Sequence, residues 1–272
     1  MEGVDQKLMQ RRLNLEKFQY LCERFERSPN ITDEYSVAPH LRIEYASRDV
    51  SILSSIAEIL LKDYEHVKNW FGFRGDLAID LWMAPEIADL EYITGMRCAD
   101  GYMCAPGARN GGNVIPFVSP LASTKNADRM HFSAVLAHEI THYFISNISQ
   151  ATIFHMKRKE SGDLPLWLEE GLCQLVSSEV NPSFAVKWDE EITEVDTWHP
   201  LEDLWNDLSA CENATIGYLQ AYKETRDVVK RRGKAEIIAL LYLNRTHYVE
   251  WTDLTREGEV SMRVKHAKDE RP

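Results

Sequence analysis

A helix that carries two histidines four residues apart is the feature that most restricts the fold of this chain. Residues 133–146 read SAVLAHEITHYFIS, in which small and apolar residues surround His138 and His142. On an α-helix, positions i and i+4 lie on one face about 5.4 Å apart, so the two imidazoles can reach one ion. The apolar neighbours predict that this helix is buried, with the histidines on one face.

Glu139 is a candidate general base beside this histidine pair. Zinc binds imidazole nitrogen at ~2.0–2.1 Å, and a catalytic zinc site has three protein ligands and an open position for water. Because Glu139 directly follows His138, it points to the side of the ligand pair and can reach that water without occupying the metal. The segment therefore predicts a zinc site with Glu139 as general base. In the alternative interpretation, the histidines are hydrogen-bonded core residues and Glu139 lies on a solvated edge.

A second segment, LPLWLEEGLCQLV, is expected to supply a third ligand, because it starts another amphipathic helix after Pro165. Successive helical residues are ~100° apart, so only one of Glu169 and Glu170 can face the metal. A HExxH helix followed by a WLxEG segment resembles the gluzincin metallopeptidases of the MA clan, which include thermolysin and aminopeptidase N. The peptidase MA-like domains are the most similar. This resemblance implies Zn²⁺ held by His138, His142 and Glu170, because these families use the glutamate before the glycine.

The resemblance extends over residues 41–243 and implies an α+β, zincin-like fold of the thermolysin type, with a mixed-sheet lobe followed by a mostly helical lobe. It also implies a zinc metallopeptidase with a peptide or protein substrate. The segment NGGNVIPFVS, residues 110–119, resembles the edge strand along which gluzincins bind an extended peptide. No GxMEN-like segment, which binds the substrate amine in aminopeptidases of this group, precedes the zinc helix. An endopeptidase is therefore expected rather than an aminopeptidase.

Three further residues bear on whether the site is active. Gluzincins commonly use a tyrosine or histidine from the later half to stabilise the oxyanion, and Tyr218 and Tyr222, one helical turn apart, are the catalytic candidates. Aromatic packing is the alternative for each. Gln174 stands four residues after Glu170, where relatives often have an acidic residue that orients a ligand histidine. It leaves a second function open, a zinc-binding but catalytically degenerate interaction protein; a third possibility is an interaction protein that binds no metal.

Three parts are expected along the chain. Helical spacing predicts an N-terminal amphipathic helix (1–31), the resemblance implies a zincin-like metallopeptidase domain (32–245), and the charged end predicts a poorly packed C-terminal tail (246–272). Within the domain, alternation predicts strands at residues 40–46 and 76–84, and helical spacing predicts a helix at residues 50–70 and one at PEIADLEYIT. Two short strands are expected at GYMCAPG and NVIPFVS. After Asn126 helices dominate, at residues 126–148, 165–180, 212–232 and 234–243.

Composition excludes some classes of partner. The net charge of −12, without a long basic block, argues against nucleic acid as a ligand. No apolar run has the length of a signal peptide or a membrane span. The cysteines, which are odd in number and form no CxxC pair, predict free thiols in a reducing compartment: Cys22, Cys98, Cys104, Cys173 and Cys211. A cytoplasmic protein is therefore expected, whereas the oligomeric state is not predicted.

Overall fold

The computed structural model describes residues 25–95, 107–109, 112–149, 164–205, 208, 214–256 and 258–264. The chain divides into two compact units, Met1–Ile140 and Thr141–Pro272. The boundary falls inside one helix, so this helix contributes residues to both units. The expected N-terminal helix lies outside the described residues except at its end, where Phe25 and Ile31 are buried in non-helical backbone.

The first unit is built on a mixed sheet of five strands within the described residues. The strands are β1 (Asp33–Ala38), β2 (Leu41–Tyr45), β3 (Ile79–Ala84), β4 (Gly107–Arg109) and β5 (Gly112–Val118), in the spatial order β1-β2-β3-β5-β4. Neighbours β2, β3 and β5 are parallel, and β1 and β4 pair antiparallel at the two ends. All but one residue of β3 is buried, as expected for a central parallel strand.

The strand that the sequence likened to a substrate-binding edge is not at the edge of this sheet. β5 lies between β3 and β4, and β4 is the terminal strand. Within the part of the chain that the structure describes, β4 pairs with residues 112–114 of β5. The prediction was wrong because a strand's neighbours are set by long-range pairing, whereas alternation reports only that a strand exists. The sequence also missed β1, whose side chains are all partly or fully exposed and so show no apolar alternation.

Helices lie between and after these strands. They are α1 (Leu53–Trp70), α2 (Ile87–Thr94), α3 (Thr124–Ala127) and α4 (Arg129–Ser149), and a 3₁₀ turn at Ser47–Ile52 precedes α1. The connection through α1 joins parallel strands β2 and β3, which need a crossover of this kind. The main chain leaves α1 at Gly72 (φ 60°) and α2 at Gly95 (φ 67°), and glycine adopts this left-handed conformation without steric cost. The predicted helices at residues 50–70 and at PEIADLEYIT are confirmed.

The second unit is mostly helical, as the periodicity predicted. Its helices after α4 are α5 (Leu166–Val180), α6 (Pro182–Thr193), α7 (Ala214–Arg232) and α8 (Lys234–Leu243). The sequence missed α6, although its start carries a recognisable signal. The side chain of Asn181 accepts a hydrogen bond from the Ser183 N–H, and Pro182 occupies the first turn.

Gly171 allows α5 to approach α7 closely. A Cβ atom at this position would lie 2.1 Å from Thr225 Oγ1 and 2.3 Å from the Ala221 carbonyl oxygen. Because the second contact is with backbone, a rotamer change could not relieve it. The glycine of the WLEEG segment therefore has a packing role, and it holds the first turns of α5 against α7.

The expected charged tail differs from the structure in its described part. Strands β6 (His247–Val249) and β7 (Met262–Val264) pair antiparallel, and a 3₁₀ turn at Trp251–Thr255 lies between them. Trp251 and Leu254 are fully buried, and the Arg232 guanidinium donates to the Leu254 carbonyl oxygen at 3.1 Å. The prediction rested on the overall charge of the segment, which does not report the few apolar residues that are buried in it. Among the described helices, none combines the length and apolarity needed to cross a membrane.

Candidate metal centre

Helix α4 presents the two histidines and Glu139 from a buried position. Neighbouring Ala137 and Ile140 are fully buried, Glu139 is 7% exposed and His142 is 5% exposed, whereas His138 is partly exposed. The prediction of a buried helix is confirmed. The alternative that placed Glu139 on a solvated edge does not agree with this burial.

Glu169 and Glu170 lie at the two nitrogen-bearing edges of the His142 ring. Helix α5 begins directly after Pro165, which places both glutamates in its first turns. Glu169 Oε1 lies 2.8 Å from His142 Nδ1, and Glu170 Oε1 lies 3.7 Å from Nε2. An ionised carboxylate only accepts hydrogen bonds, so Nδ1 carries a proton, and Nε2, on the side of Glu170, is the nitrogen that could bind a metal ion. The sequence analysis expected only one of the two glutamates to face the metal. The structure places Glu169 beside Nδ1 and Glu170 beside Nε2 of the His142 ring.

Cys173 is a further donor at this place, which the sequence analysis did not assign to it. Ligand atoms of His138, His142 and Cys173 all lie within 4.8 Å of one another. The thiol is fully buried and not in a disulfide. A signal was present in the sequence, because Cys173 follows Glu170 by three residues and so shares its helix face.

The electrostatics of the site differ from those of an apolar core. Burial by itself lowers the pKa of His142, but Cys173 and Glu170 beside it, together with hydrogen bonds to Cys173 and Glu169, raise that pKa well above its ordinary value. Burial raises the pKa of the Cys173 thiol to about 12. A positive charge is therefore favoured at the imidazole, and an uncharged thiol lies beside it when no cation is bound.

The donor set and spacing fit a zinc ion. Two ligand atoms at ~2.1 Å from a tetrahedral zinc lie about 3.4 Å apart, and His142 Nε2 and Glu170 Oε1 are 3.7 Å apart. Around bound zinc, a nitrogen and a sulfur ligand lie ~3.6 Å apart, so the group spanning up to 4.8 Å must contract on binding. Imidazole, carboxylate and thiolate are all zinc ligands. His138, His142 and Cys173 could therefore hold a metal ion.

The two candidate tyrosines have different environments. Tyr222 is 2% exposed, its ring lies 4.9 Å from that of Trp188, and its hydroxyl is hydrogen-bonded to Ser178. These contacts favour the packing interpretation for Tyr222. Tyr218 is 41% exposed, so solvent reaches its side chain.

Gln174 is buried on α5, and its Oε1 atom has no hydrogen-bond partner among the described residues. Among the described residues, this oxygen therefore accepts no hydrogen bond from a ligand histidine. A buried amide oxygen without a partner is costly, which is unusual for a residue that serves only packing.

Comparisons with known proteins add little to this picture. No protein-family model matches the chain, and no curated protein matches its sequence. Among solved structures, the chain is similar to native yeast LTA4 hydrolase, with a TM-score of 0.46 and 13% sequence identity. The match covers 78% of this chain and 32% of the other, so this chain spans about a third of that protein's length. The function is therefore inferred from the residues of this chain.

Proposed function

We propose that this chain is a zinc-dependent metallohydrolase of the gluzincin kind that acts on peptide bonds. One observation carries the proposal: carboxylates occupy both nitrogen-bearing edges of the His142 ring, Glu169 at 2.8 Å and Glu170 at 3.7 Å. A core histidine needs only ordinary hydrogen-bond partners. A metal-binding histidine typically donates one N–H to an orienting carboxylate and directs the other nitrogen at the metal, where further ligands gather.

The proposed ligands are His138, His142 and Glu170. The histidines share one face of α4, and Glu170 comes from the start of α5. A zinc ion held there supplies a Lewis acid, which polarises the scissile carbonyl and acidifies a water. Glu169 is assigned to orienting His142, because its carboxylate accepts a hydrogen bond from the Nδ1–H group and so directs Nε2 away from itself.

Proton transfer is assigned to Glu139. Its carboxylate is buried and directly follows the first histidine, so it can take the proton of the attacking water and pass it to the leaving amine. Tyr218 is the proposed oxyanion donor, because its side chain is partly exposed and can meet a substrate, whereas Tyr222 is held in helix packing. Endopeptidase action is preferred, since the GxMEN-like amine-binding segment of aminopeptidases is absent from the sequence.

Metal content tests the proposal. Elemental analysis of the purified protein should find about one zinc per chain, and His142→Ala and Glu170→Ala should each lose it or bind it far more weakly. Glu179→Ala is the matched control, because Glu179 is exposed near the end of the same helix as Glu170. If the wild type takes up no zinc at neutral pH, the proposal is wrong.

Glu139→Gln separates binding from chemistry. The variant should keep its zinc and lose peptide hydrolysis by about 10²–10⁴-fold, the usual contribution of a general base. Retained hydrolysis in this variant would contradict the role of Glu139 even if the metal site is correct.

The second candidate function is a zinc-binding protein without turnover. The Cys173 sulfur favours it, because a thiol close to both histidines can complete a closed set of four ligands. Stoichiometric zinc without hydrolysis in the wild type, and in every variant of Cys173, would support this alternative.

A further inference from the structure

Three residues, His138, His142 and Cys173, bring potential metal donors close together, and Glu170 adds a carboxylate oxygen beside Nε2 of His142. Glu170 Oε1 is 3.7 Å from that nitrogen, and ligand atoms of His138, His142 and Cys173 lie within 4.8 Å of one another. The thiol is also hydrogen-bonded to His142. The observation to explain is why a sulfur atom accompanies the proposed ligand set.

Simple packing does not account well for Cys173. A buried cysteine often behaves as a small hydrophobic residue surrounded by apolar groups. Here the thiol is hydrogen-bonded to an imidazole, and the charges of Glu169 and Glu170 act on it. On α5 it lies one turn after Glu170, on the same face. Its position is therefore that of a donor in a polar cluster.

We propose that Cys173 is a fourth ligand of this metal centre and that its sulfur closes the site in the resting protein. The inference rests on the proposed function, because it assumes that His138, His142 and Glu170 bind the metal. Four protein ligands make a closed zinc site, whereas three leave the open position that hydrolysis requires. Cys173 thus controls whether the centre is structural or catalytic.

Binding of a cation by Cys173 would balance in protons. The thiol would release its proton to solvent on binding as thiolate, and the sulfur would take a proton back on leaving the cation. No oxidant or reductant is needed. The fully buried position of Cys173 means that such an exchange requires a local movement of α5 or of the cysteine side chain.

Cobalt(II) substitution tests the inference with a readout independent of activity. A Co²⁺–thiolate bond gives a near-ultraviolet charge-transfer band that nitrogen and oxygen ligands do not give. The wild type loaded with Co²⁺ should show this band, and Cys173→Ala and Cys173→Ser should lose it while still binding cobalt. In the control variant, Cys173 is kept and serine replaces the other four cysteines, so the band should persist. Those four are Cys22, Cys98, Cys104 and Cys211.

Zinc affinity and turnover complete the test. The Cys173 variants should bind zinc at least ~10-fold more weakly in chelator competition, yet hydrolyse a peptide substrate faster than the wild type. Cobalt binding without the band would overturn the inference and leave the proposed function intact. Absence of metal from the wild type would instead overturn the proposed function itself. If the wild type shows the band but the Cys173 variants hydrolyse the substrate no faster, Cys173 is a ligand that does not control activity, and that part of the inference is wrong.

Discussion

Helix α4 meets one buried carboxylate in each unit, and the two are held in opposite ways. In the first unit, Asp63 of α1 is fully buried, and both of its oxygens accept from the Ser133 hydroxyl, at 2.8 and 2.7 Å. In the second unit, Glu169 of α5 is 1% exposed and accepts from the His142 ring. One carboxylate has a neutral partner and the other has a partner that can become a cation.

This difference is the reason for proposing that Glu169 belongs to a functional site and that Asp63 is structural. A hydroxyl compensates only part of the cost of burying a charge, and burial raises the pKa of Asp63 to about 7. An imidazole shares a charge-assisted hydrogen bond with Glu169 and leaves its second nitrogen directed at further ligands. The raised pKa of Asp63 is therefore explained by burial, whereas the donors around the His142 ring are the reason for proposing a role for Glu169.

The largest expected effect is on the pH dependence of stability through Asp63. The unfolded carboxyl ionises near 3.8 and the folded one near 7, so between those values only the unfolded chain releases the proton. The free energy of unfolding should therefore fall as pH rises through this window, by up to about 4 kcal/mol from this group. Asp63→Asn should remove that part of the pH dependence, measured by chemical denaturation between pH 4 and 8.

Glu58→Gln is the control for this prediction. Glu58 lies on the same helix, and its side chain is exposed, so its variant should follow the wild-type pH dependence. If Asp63→Asn also follows the wild type, Asp63 does not hold a proton in the folded protein, and the contrast between the two carboxylates is lost.

The next effect concerns metal affinity and should be confined to the second carboxylate. Glu169→Gln keeps the size of the side chain but weakens the orienting hydrogen bond to His142. Zinc affinity should fall about 10–100-fold, or about 1.4–2.7 kcal/mol, in competition with a chelator. Asp63→Asn should leave zinc affinity unchanged. Equal effects of the two substitutions would show that Glu169 acts through stability and not through His142.

Local patterns explain what the sequence predicted well. The spacing of His138 and His142 is a property of one helix, and helix periodicity also located α1, α5 and α8. Elements whose pattern is weak were missed, such as β1 with its exposed side chains and the packed residues around Trp251. The Asn181–Pro182 capping signal of α6 was available but not used.

Long-range side-chain geometry explains what the sequence could not predict. Glu169 and His142 are 27 positions apart, and Asp63 and Ser133 are 70 apart. Neither pair follows from periodicity, because each depends on how two helices approach each other. The sequence treated Glu169 as a rival of Glu170, since a helical wheel cannot show that both can contact different edges of one imidazole.

The smallest effect is expected from Ser133→Ala, which removes the hydroxyl that serves Asp63. A hydrogen bond to a charged group contributes about 1.5–3 kcal/mol, and a neutral one about 0.5–1.5 kcal/mol. The destabilisation should therefore be roughly 1 kcal/mol greater at pH 8, where Asp63 is mostly ionised, than at pH 5. Because the hydroxyl lowers the pKa of Asp63, its loss should also extend the decline in stability to higher pH. A destabilisation independent of pH would assign Ser133 to packing alone, and the Asp63 site would then be no different from an ordinary core contact.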